Sequence, residues 1–162
     1  LTEAGEYGLR PYADDIRALA AASGRSISHH RHPIPDLGTP APETMRAILD
    51  AIDAALAADQ TVYVHCYGGI GRTGTVIGCW LARHGLSGAD ALRRIAAWRA
   101  PTPDGRRASP ETDEQRALVF GWQEIEWDAL FDATEPKLRT EAQRVRQEIE
   151  AGQAKPMDFN RL

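Results

Sequence analysis

Hydrophobic and polar residues follow two different periods along this chain, one typical of helices and one typical of strands. Between Glu43 and Ala58, apolar residues recur every three or four positions, which is the spacing of one helix face. These residues are Met45, Ile48, Leu49, Ile52 and Leu56. Residues 12–22, which end at Ser23-Gly24, and residues 88–99 have the same character. We therefore predict a helix over each of these three segments.

Two shorter segments are typical of β-strands. Residues 61–64 are β-branched and aromatic, and residues 26–31 form a short run that leads into a proline-rich loop. The apolar run over residues 75–82, which stops at Gly85, predicts a buried helix with a glycine C-cap. Because the two kinds of element alternate, we expect a layered fold that contains both strands and helices.

The last third of the chain predicts two further helices. Residues 114–130 carry apolar side chains at spacings of 4, 3 and 4, namely Leu118, Trp122, Ile125 and Ala129. Residues 134–150 are dense in Lys, Arg and Glu and have only a thin apolar seam. The seam leaves two options open, docking on the rest of the domain or pairing with another chain. The charged remainder of this helix is interpreted as a solvated face.

Composition and charge narrow the possible classes of protein. The chain has 162 residues and 43% hydrophobic content, which is enough for one domain with a buried core. A net charge of −4 without a long basic run argues against a nucleic-acid partner. No segment approaches the roughly 20 apolar residues of a membrane span. Cys66 and Cys79 form no disulfide framework, which favours a reducing cytoplasm.

The most informative stretch is residues 65–74, His-Cys-Tyr-Gly-Gly-Ile-Gly-Arg-Thr-Gly. Its glycines let the backbone curl with N–H groups pointing inward, and the planar fork of Arg72 can bind two phosphate oxygens. The start of the following helix favours a bound dianion, and it favours a thiolate at Cys66 over a thiol. This arrangement suits a phosphate monoester that is attacked by the sulfur of Cys66.

A nucleotide-binding loop is the rival interpretation of this stretch. Gly69 and Gly74 have the glycine spacing of such a loop. The next position, however, is Thr75, and the lysine that such a loop requires is missing. We reject this alternative.

The order His65-Cys66, five residues, Arg72-Thr73-Gly74 resembles the signature of the cysteine-dependent protein tyrosine and dual-specificity phosphatases. The resemblance implies a three-layer α/β/α sandwich around a central, mostly parallel sheet of about four to five strands. It also implies a protein phosphatase that acts on phosphotyrosine through a phosphocysteine intermediate, without a cofactor or metal. Phosphoserine and phosphothreonine remain open as further substrates.

The resemblance assigns roles to individual residues. Cys66 is the expected nucleophile, and the loop expected to bind phosphate consists of Tyr67, Gly68, Gly69, Ile70, Gly71 and Arg72. Thr73 is expected to steady the thiolate as a leaving group, and His65 to orient the loop. Gln115 is the candidate for a side chain near the attacking water, although a glutamine at a helix start is often simply solvated.

A general acid is expected upstream of the nucleophile. Asp36 lies 30 residues before Cys66, within a segment that prolines at positions 33, 35 and 40 stiffen. Its alternative role is that of a turn residue or of a cap for the next helix. In the context of the resemblance, we predict that Asp36 first donates a proton to the leaving group and later accepts one from water.

Several wider expectations complete this interpretation. We expect a catalytic domain over residues 1–133, followed by a charged C-terminal helix and tail over residues 134–162. The chain begins at Leu1, and residues 2–6 resemble a loop that follows an early strand of the family, so we expect part of the N-terminus to be missing. The expected partner is a phosphorylated protein or peptide, and the expected state is a monomer.

Three alternatives remain to be tested against this hypothesis. A phosphoinositide phosphatase is the main rival among enzymes, but lipid-directed members carry lysines in the loop and this chain has none there. A non-catalytic phosphopeptide-binding module could use the same loop. A metal site at residues 29–32, His-His-Arg-His, is disfavoured because neighbouring strand residues point to opposite faces. We expect these residues to form a positive rim near the pocket.

Overall fold

The computed structural model describes residues 1–153. Within them the chain forms five α-helices and one short 3₁₀ helix at Glu6–Gly8. The α-helices are α1 (Ala13–Ala22), α2 (Pro42–Ala57), α3 (Gly71–Arg83), α4 (Gly88–Arg99) and α5 (Asp113–Glu150). The chain divides into two compact units, residues 1–123 and the residues from Glu124 onward. The end of the predicted C-terminal tail, residues 154–162, lies outside the described residues.

The helices predicted over residues 12–22, 43–58 and 88–99 are confirmed to within one residue at each end. Helix α2 begins at Pro42. The N–H groups of the first helical turn have no partner within the helix, so the N–H that proline lacks costs no hydrogen bond there. Ser87 caps α4, because its Oγ accepts a hydrogen bond from the Asp90 amide at 3.1 Å. The predicted inner face of α2 is buried at Met45, Ile48, Leu49 and Ile52, whereas Leu56 in the last turn is partly exposed.

Helix α3 begins four residues earlier than the apolar run predicts, at Gly71 instead of Thr75. Its first turn therefore contains Arg72 and Thr73, and Val76 and Cys79 further along are completely buried. Gly78 lets α5 approach closely, since a Cβ there would lie 2.6 Å from Val119 Cγ2. Helix α3, which follows the loop predicted to bind phosphate (the phosphate loop), is thus held in the core of the first unit.

The C-terminal prediction of two helices is wrong at their junction. One continuous helix, α5, runs through Thr134 and Pro136. Proline removes one backbone donor, and the strong helix formers on both sides offset this local loss. The predicted division into residues 1–133 and 134–162 stays a prediction. In the described part of the chain, no helix has both the length and the apolar character needed to cross a membrane.

The predicted three-layer α/β/α sandwich with a mostly parallel sheet is wrong, because residues 1–153 contain no β-strand. Strands of a parallel sheet are buried on both faces and pair along their length. In the segments predicted as strands, Ile27 is 47% exposed and Tyr63 is 85% exposed. Isolated bonds join the extended segments, from the Ile34 amide to the Leu1 carbonyl and from the Leu1 nitrogen to the His65 carbonyl. The composition of these segments indicates extended backbone, but it does not determine whether they pair with each other as strands.

Candidate active site

Residues 66–70 form a tight loop between an extended segment and the start of α3 at Gly71, and Arg72 lies in the first turn of that helix. Gly69 adopts a left-handed conformation with φ of 65°, which glycine tolerates without strain. This turn directs the Gly69 N–H to Cys66 Sγ at a distance of 3.2 Å. No side chain caps α3, so the loop presents backbone donors at the positive end of the helix dipole.

The Cys66 thiol is buried, and two opposing effects set its pKa. Burial by itself raises the pKa, but the Thr73 hydroxyl and the backbone amides of Thr73, Gly69 and Ile70 together bring it below its usual value. Thr73 Oγ1 is buried and makes no hydrogen bond of regular geometry, so its interaction with the sulfur is a looser polar contact. The outcome is a sulfur that loses its proton more readily than an ordinary cysteine thiol.

Arg72 is almost completely buried and makes a planar, two-pronged contact with Glu6. Its two terminal nitrogens each donate to one Glu6 carboxylate oxygen at 2.5 Å. Nη1 also donates to the Ile34 carbonyl at 3.1 Å. The Arg72 contact holds the pKa of Glu6 below its usual range despite the partial burial of that carboxyl. Glu6 therefore fixes the orientation of the guanidinium group.

Asp36 lies beside Arg72. It occupies the tip of a turn that is closed by a hydrogen bond from the Gly38 amide to the Pro35 carbonyl at 3.0 Å. Asp36 Oδ1 is 3.0 Å from Arg72 Nη2, and Asp36 Oδ2 accepts a hydrogen bond from the Tyr7 hydroxyl. Asp36 is therefore a turn residue and also a neighbour of the loop that is predicted to bind phosphate.

His65 contacts the backbone of the loop and a side chain behind it. Its Nδ1 is 3.1 Å from the Cys66 carbonyl oxygen, and its Nε2 is 2.8 Å from the Tyr12 hydroxyl. A carbonyl can only accept, so the geometry assigns the ring proton to Nδ1 and makes Tyr12 the donor to Nε2. This arrangement orients the start of the loop.

Gln115 is completely buried and its amide joins two loops. Oε1 accepts hydrogen bonds from the Glu111 and Thr112 amides, and Nε2 donates to the Gly38 carbonyl at 3.0 Å. A Cβ at Gly71 would lie 3.0 Å from Gln115 Oε1, so this amide also packs on the start of α3. In this structure Gln115 ties the segment that carries Asp36 to residues 111–112, next to the start of α3.

The remaining loop residues differ in exposure. Ile70 and Gly71 are buried, whereas Tyr67 is largely exposed at the rim, where its ring contacts the Tyr7 ring at a centroid distance of 4.7 Å. Gly68 is also exposed.

Sequence analysis missed three residues of this site. They are Glu6, Tyr7 and Arg99, whose Nη1 donates to the Gly69 carbonyl at 2.8 Å. Glu6 ends residues 2–6, which resemble only a loop of the family, and Tyr7 follows that segment. Arg99 ends a predicted helix among other arginines. Nothing in the neighbouring sequence distinguishes these three residues from ordinary exposed polar residues.

Two of the histidines in residues 29–32 add little positive charge near neutral pH, whereas Arg31 in the same segment is charged. Burial is the main cause that lowers the pKa of both His29 and His32, which leaves these rings neutral. Across residues 1–153, no three or more His, Cys, Asp or Glu side chains are grouped as a metal site would require. The donors gathered around Cys66 and Arg72 instead suit an oxyanion with several oxygens.

Comparison with known proteins points to one family. A family model described as "Polymorphic toxin system, DSP-PTPase phosphatase" matches residues 11–86. A crystal structure of Tk-PTP in the active form is 31% identical, covers 76% of this chain and 75% of that one, and superposes with a TM-score of 0.58. The chain belongs to the protein tyrosine and dual-specificity phosphatase family.

Other relatives of this family member agree with that assignment. Dual specificity protein phosphatase CDC14B of Mus musculus is 43% identical over 58 residues, which are 36% of this chain. Cyclin-dependent kinase inhibitor 3 of Rattus norvegicus is 40% identical over 55 residues, or 34% of this chain. The matched segments span 11% and 26% of those two proteins.

A second solved structure matches a smaller share of the chain. It is the kinase associated phosphatase with its catalytic-site cysteine replaced by serine. It is 26% identical, with 67% of this chain and 57% of that chain covered and a TM-score of 0.53.

Proposed function

We propose that this family member is a protein phosphatase that hydrolyses phosphotyrosine through a phosphocysteine intermediate. One observation carries the proposal: the Cys66 sulfur, whose pKa is lowered by loop amides and the Thr73 hydroxyl, lies in the same loop as a buried Arg72. A thiolate is the reactive form of cysteine, and a guanidinium beside it binds the oxygens of the phosphate that the sulfur attacks.

The first step transfers phosphate to the enzyme. Cys66 Sγ attacks phosphorus, an S–P bond forms and the bond to the ester oxygen breaks. Glu6 binds the edge of the Arg72 guanidinium that is formed by Nη1 and Nη2. We therefore assign phosphate to the neighbouring edge, formed by Nε and Nη2. Phosphate on this edge replaces Asp36 Oδ1 at Nη2, which leaves that oxygen beside the ester oxygen. Asp36 then donates its proton to the departing phenolate.

The second step releases inorganic phosphate. Water attacks the phosphorus of phosphocysteine, its proton passes to Asp36, and the S–P bond breaks. The loop amides that lower the Cys66 pKa also stabilise the thiolate as it leaves. The Thr73 hydroxyl contributes to the same stabilisation. The cycle returns every group to its starting protonation state and needs no cofactor.

The reaction also favours a particular compartment. A thiolate of lowered pKa oxidises readily, and its activity depends on staying reduced. We therefore propose that the protein acts in the reducing cytoplasm.

The test compares the wild-type chain with Cys66→Ser on aryl phosphate, phosphotyrosyl peptide and phosphothreonyl peptide, with an inositol lipid panel alongside. We expect Cys66→Ser to lose about 10³-fold or more of kcat. Rapid acid quenching of the wild type should trap a phosphate mass on the peptide that contains Cys66. Normal turnover by Cys66→Ser would contradict covalent catalysis, and a preference for inositol lipids would favour the phosphoinositide alternative. Binding of phosphopeptide without turnover would indicate a non-catalytic module.

A further inference from the structure

Tyr7 stands at the rim of the site in a backbone conformation that its side chain does not favour. Its φ is 50°, and the glycines at positions 5 and 8 each have a φ of 75°. A positive φ is uncommon and strained for a bulky residue. Contacts with the surrounding structure must therefore hold Tyr7 in place.

Three contacts hold Tyr7 over the phosphate loop. Its hydroxyl donates a hydrogen bond to Asp36 Oδ2, and its ring packs against Tyr67 at a tilt of 44°. The preceding residue, Glu6, is anchored by both terminal nitrogens of Arg72. These contacts join residues that are 29 and 66 positions apart in the chain.

Both oxygens of the Asp36 carboxyl group are consequently anchored. Oδ1 faces Arg72 Nη2, and Oδ2 faces Tyr7. Phosphate takes the place of Oδ1 at Nη2 when substrate binds, so the Tyr7 hydroxyl is the anchor that remains on the carboxyl group during the reaction. We propose that Tyr7 is a positioning residue that aims Asp36 Oδ1 at the leaving oxygen, an inference that rests on the proposed function.

The proton balance assigns the two oxygens different tasks. In the protonated acid, Oδ1 carries the proton that passes to the ester oxygen, while Oδ2 continues to accept from Tyr7. Tyr7 keeps its own proton throughout, because the hydrogen bond to Asp36 raises the pKa of the phenol. It therefore remains a donor at neutral pH. Tyr7 never exchanges a proton with substrate, so its effect acts through Asp36.

A second interpretation of the same contacts makes an opposite prediction. Tyr7 is 64% exposed and lies on Tyr67, so it could act as a plug that substrate must displace. Removing the plug would raise turnover of every substrate. Removing a positioning group instead lowers turnover, and only where proton donation limits the rate. The chemistry of the leaving group therefore separates the two roles.

The experiment measures kcat/KM of Tyr7→Phe on two esters, because this ratio reports phosphate transfer to Cys66 and not the later hydrolysis of phosphocysteine. Phenyl phosphate has a poor leaving group that needs a proton, and 2,4-dinitrophenyl phosphate has a good one that departs without it. General acids contribute about 10²–10⁴-fold, so we expect a partly misplaced Asp36 to lower kcat/KM about tenfold on phenyl phosphate. We expect kcat/KM on the dinitrophenyl ester to stay within about twofold.

Two variants calibrate the result. Asp36→Asn removes the acid itself and should show the same leaving-group dependence to a greater extent. Tyr63→Phe removes a hydroxyl from an aromatic ring that is 85% exposed, and both esters should react as with the wild type. In the double variant Tyr7→Phe/Asp36→Asn, we expect no further loss beyond Asp36→Asn, because both changes act on one group.

Each outcome separates this inference from the proposed function. Equal loss on both esters, or faster turnover of both by Tyr7→Phe, overturns the positioning role. If Asp36→Asn shows the leaving-group dependence and Tyr7→Phe does not, the inference fails while the proposed function stands. If the wild type hydrolyses neither ester, the proposed function fails first. A loss confined to phenyl phosphate in both variants supports the role of Tyr7.

Discussion

At the scale of single residues, hydrogen bonding outweighs burial at Cys66. A buried thiol ordinarily holds its proton, since desolvation disfavours the anion. Here the Thr73 hydroxyl and the amides of Thr73, Gly69 and Ile70 more than offset that effect, so the net pKa of Cys66 lies below its usual value. The donors are fixed by the loop and by the first turn of α3, so they need no rearrangement when charge forms on sulfur.

A substitution at Thr73 tests how much of this effect depends on its hydroxyl. Removing a donor from the thiolate raises the Cys66 pKa, so a smaller fraction is ionised at any given pH. The midpoint of the pH dependence of alkylation by iodoacetamide should therefore move upward in Thr73→Ala. Thr73→Ser keeps the hydroxyl and should alkylate like the wild type. An unchanged midpoint in Thr73→Ala would mean that the backbone amides alone lower the pKa.

At the scale of elements, helix α3 depends on small residues where other parts of the chain approach it closely. A Cβ at Gly74 would lie 2.3 Å from Ser109 Oγ, in the segment before α5, and a Cβ at Gly78 would lie 2.6 Å from Val119 Cγ2, in α5. Glycine is unfavourable inside a helix by about 1 kcal/mol relative to alanine. The close approach of Ser109 and Val119 explains why glycine is nonetheless suited to these two positions.

Two glycine substitutions of equal size should have opposite effects on stability. Gly78→Ala forces the completely buried Val119 to move, and overpacking costs about 1–3 kcal/mol, more than alanine gains as a helix former. Gly121→Ala meets no atom within 4 Å and should stabilise the protein by about 0.5–1 kcal/mol. Urea unfolding at constant m-value measures both. Stabilisation by Gly78→Ala would refute the packing explanation, and Val119→Ala should relieve its effect.

At the scale of the whole molecule, helix α5 belongs to both units of the chain. Its completely buried residues, Gln115, Val119 and Trp122, all lie before Glu124, where the second unit begins. Beyond that point the large apolar side chains are exposed, among them Trp127, Phe131, Leu138 and Ile149. The first unit therefore contains every described residue of the candidate site.

Shortening the chain tests this division. A chain that ends at Phe131 retains the buried residues of α5, so we expect its kcat/KM on aryl phosphate to stay within about twofold of the full chain. A chain that ends at Gly121 loses Trp122, the largest fully buried side chain, and should not fold. Loss of activity in the chain that ends at Phe131 would show that the second unit contributes to the site. Circular dichroism separates such a loss from unfolding.

The fold and the site were predictable to different extents. Helices α1, α2 and α4 follow from apolar spacing, because a helix face is set by residues three and four positions apart. The strands failed because residues 26–31 and 61–64 indicate extended backbone, whereas pairing depends on partners far away in the chain. The break expected near Thr134 was also wrong, since α5 continues through Pro136.

The sequence by itself determined the family and a candidate loop in which Cys66 and Arg72 share one glycine-rich turn. These features depend on residues within ten positions of each other, so local stereochemistry is enough to predict them. Only the tertiary structure decided that Glu6 orients Arg72, that Tyr7 bonds to Asp36, and that Gln115 joins two loops. Those contacts span 29 to 77 positions, and they depend on the path of the whole chain.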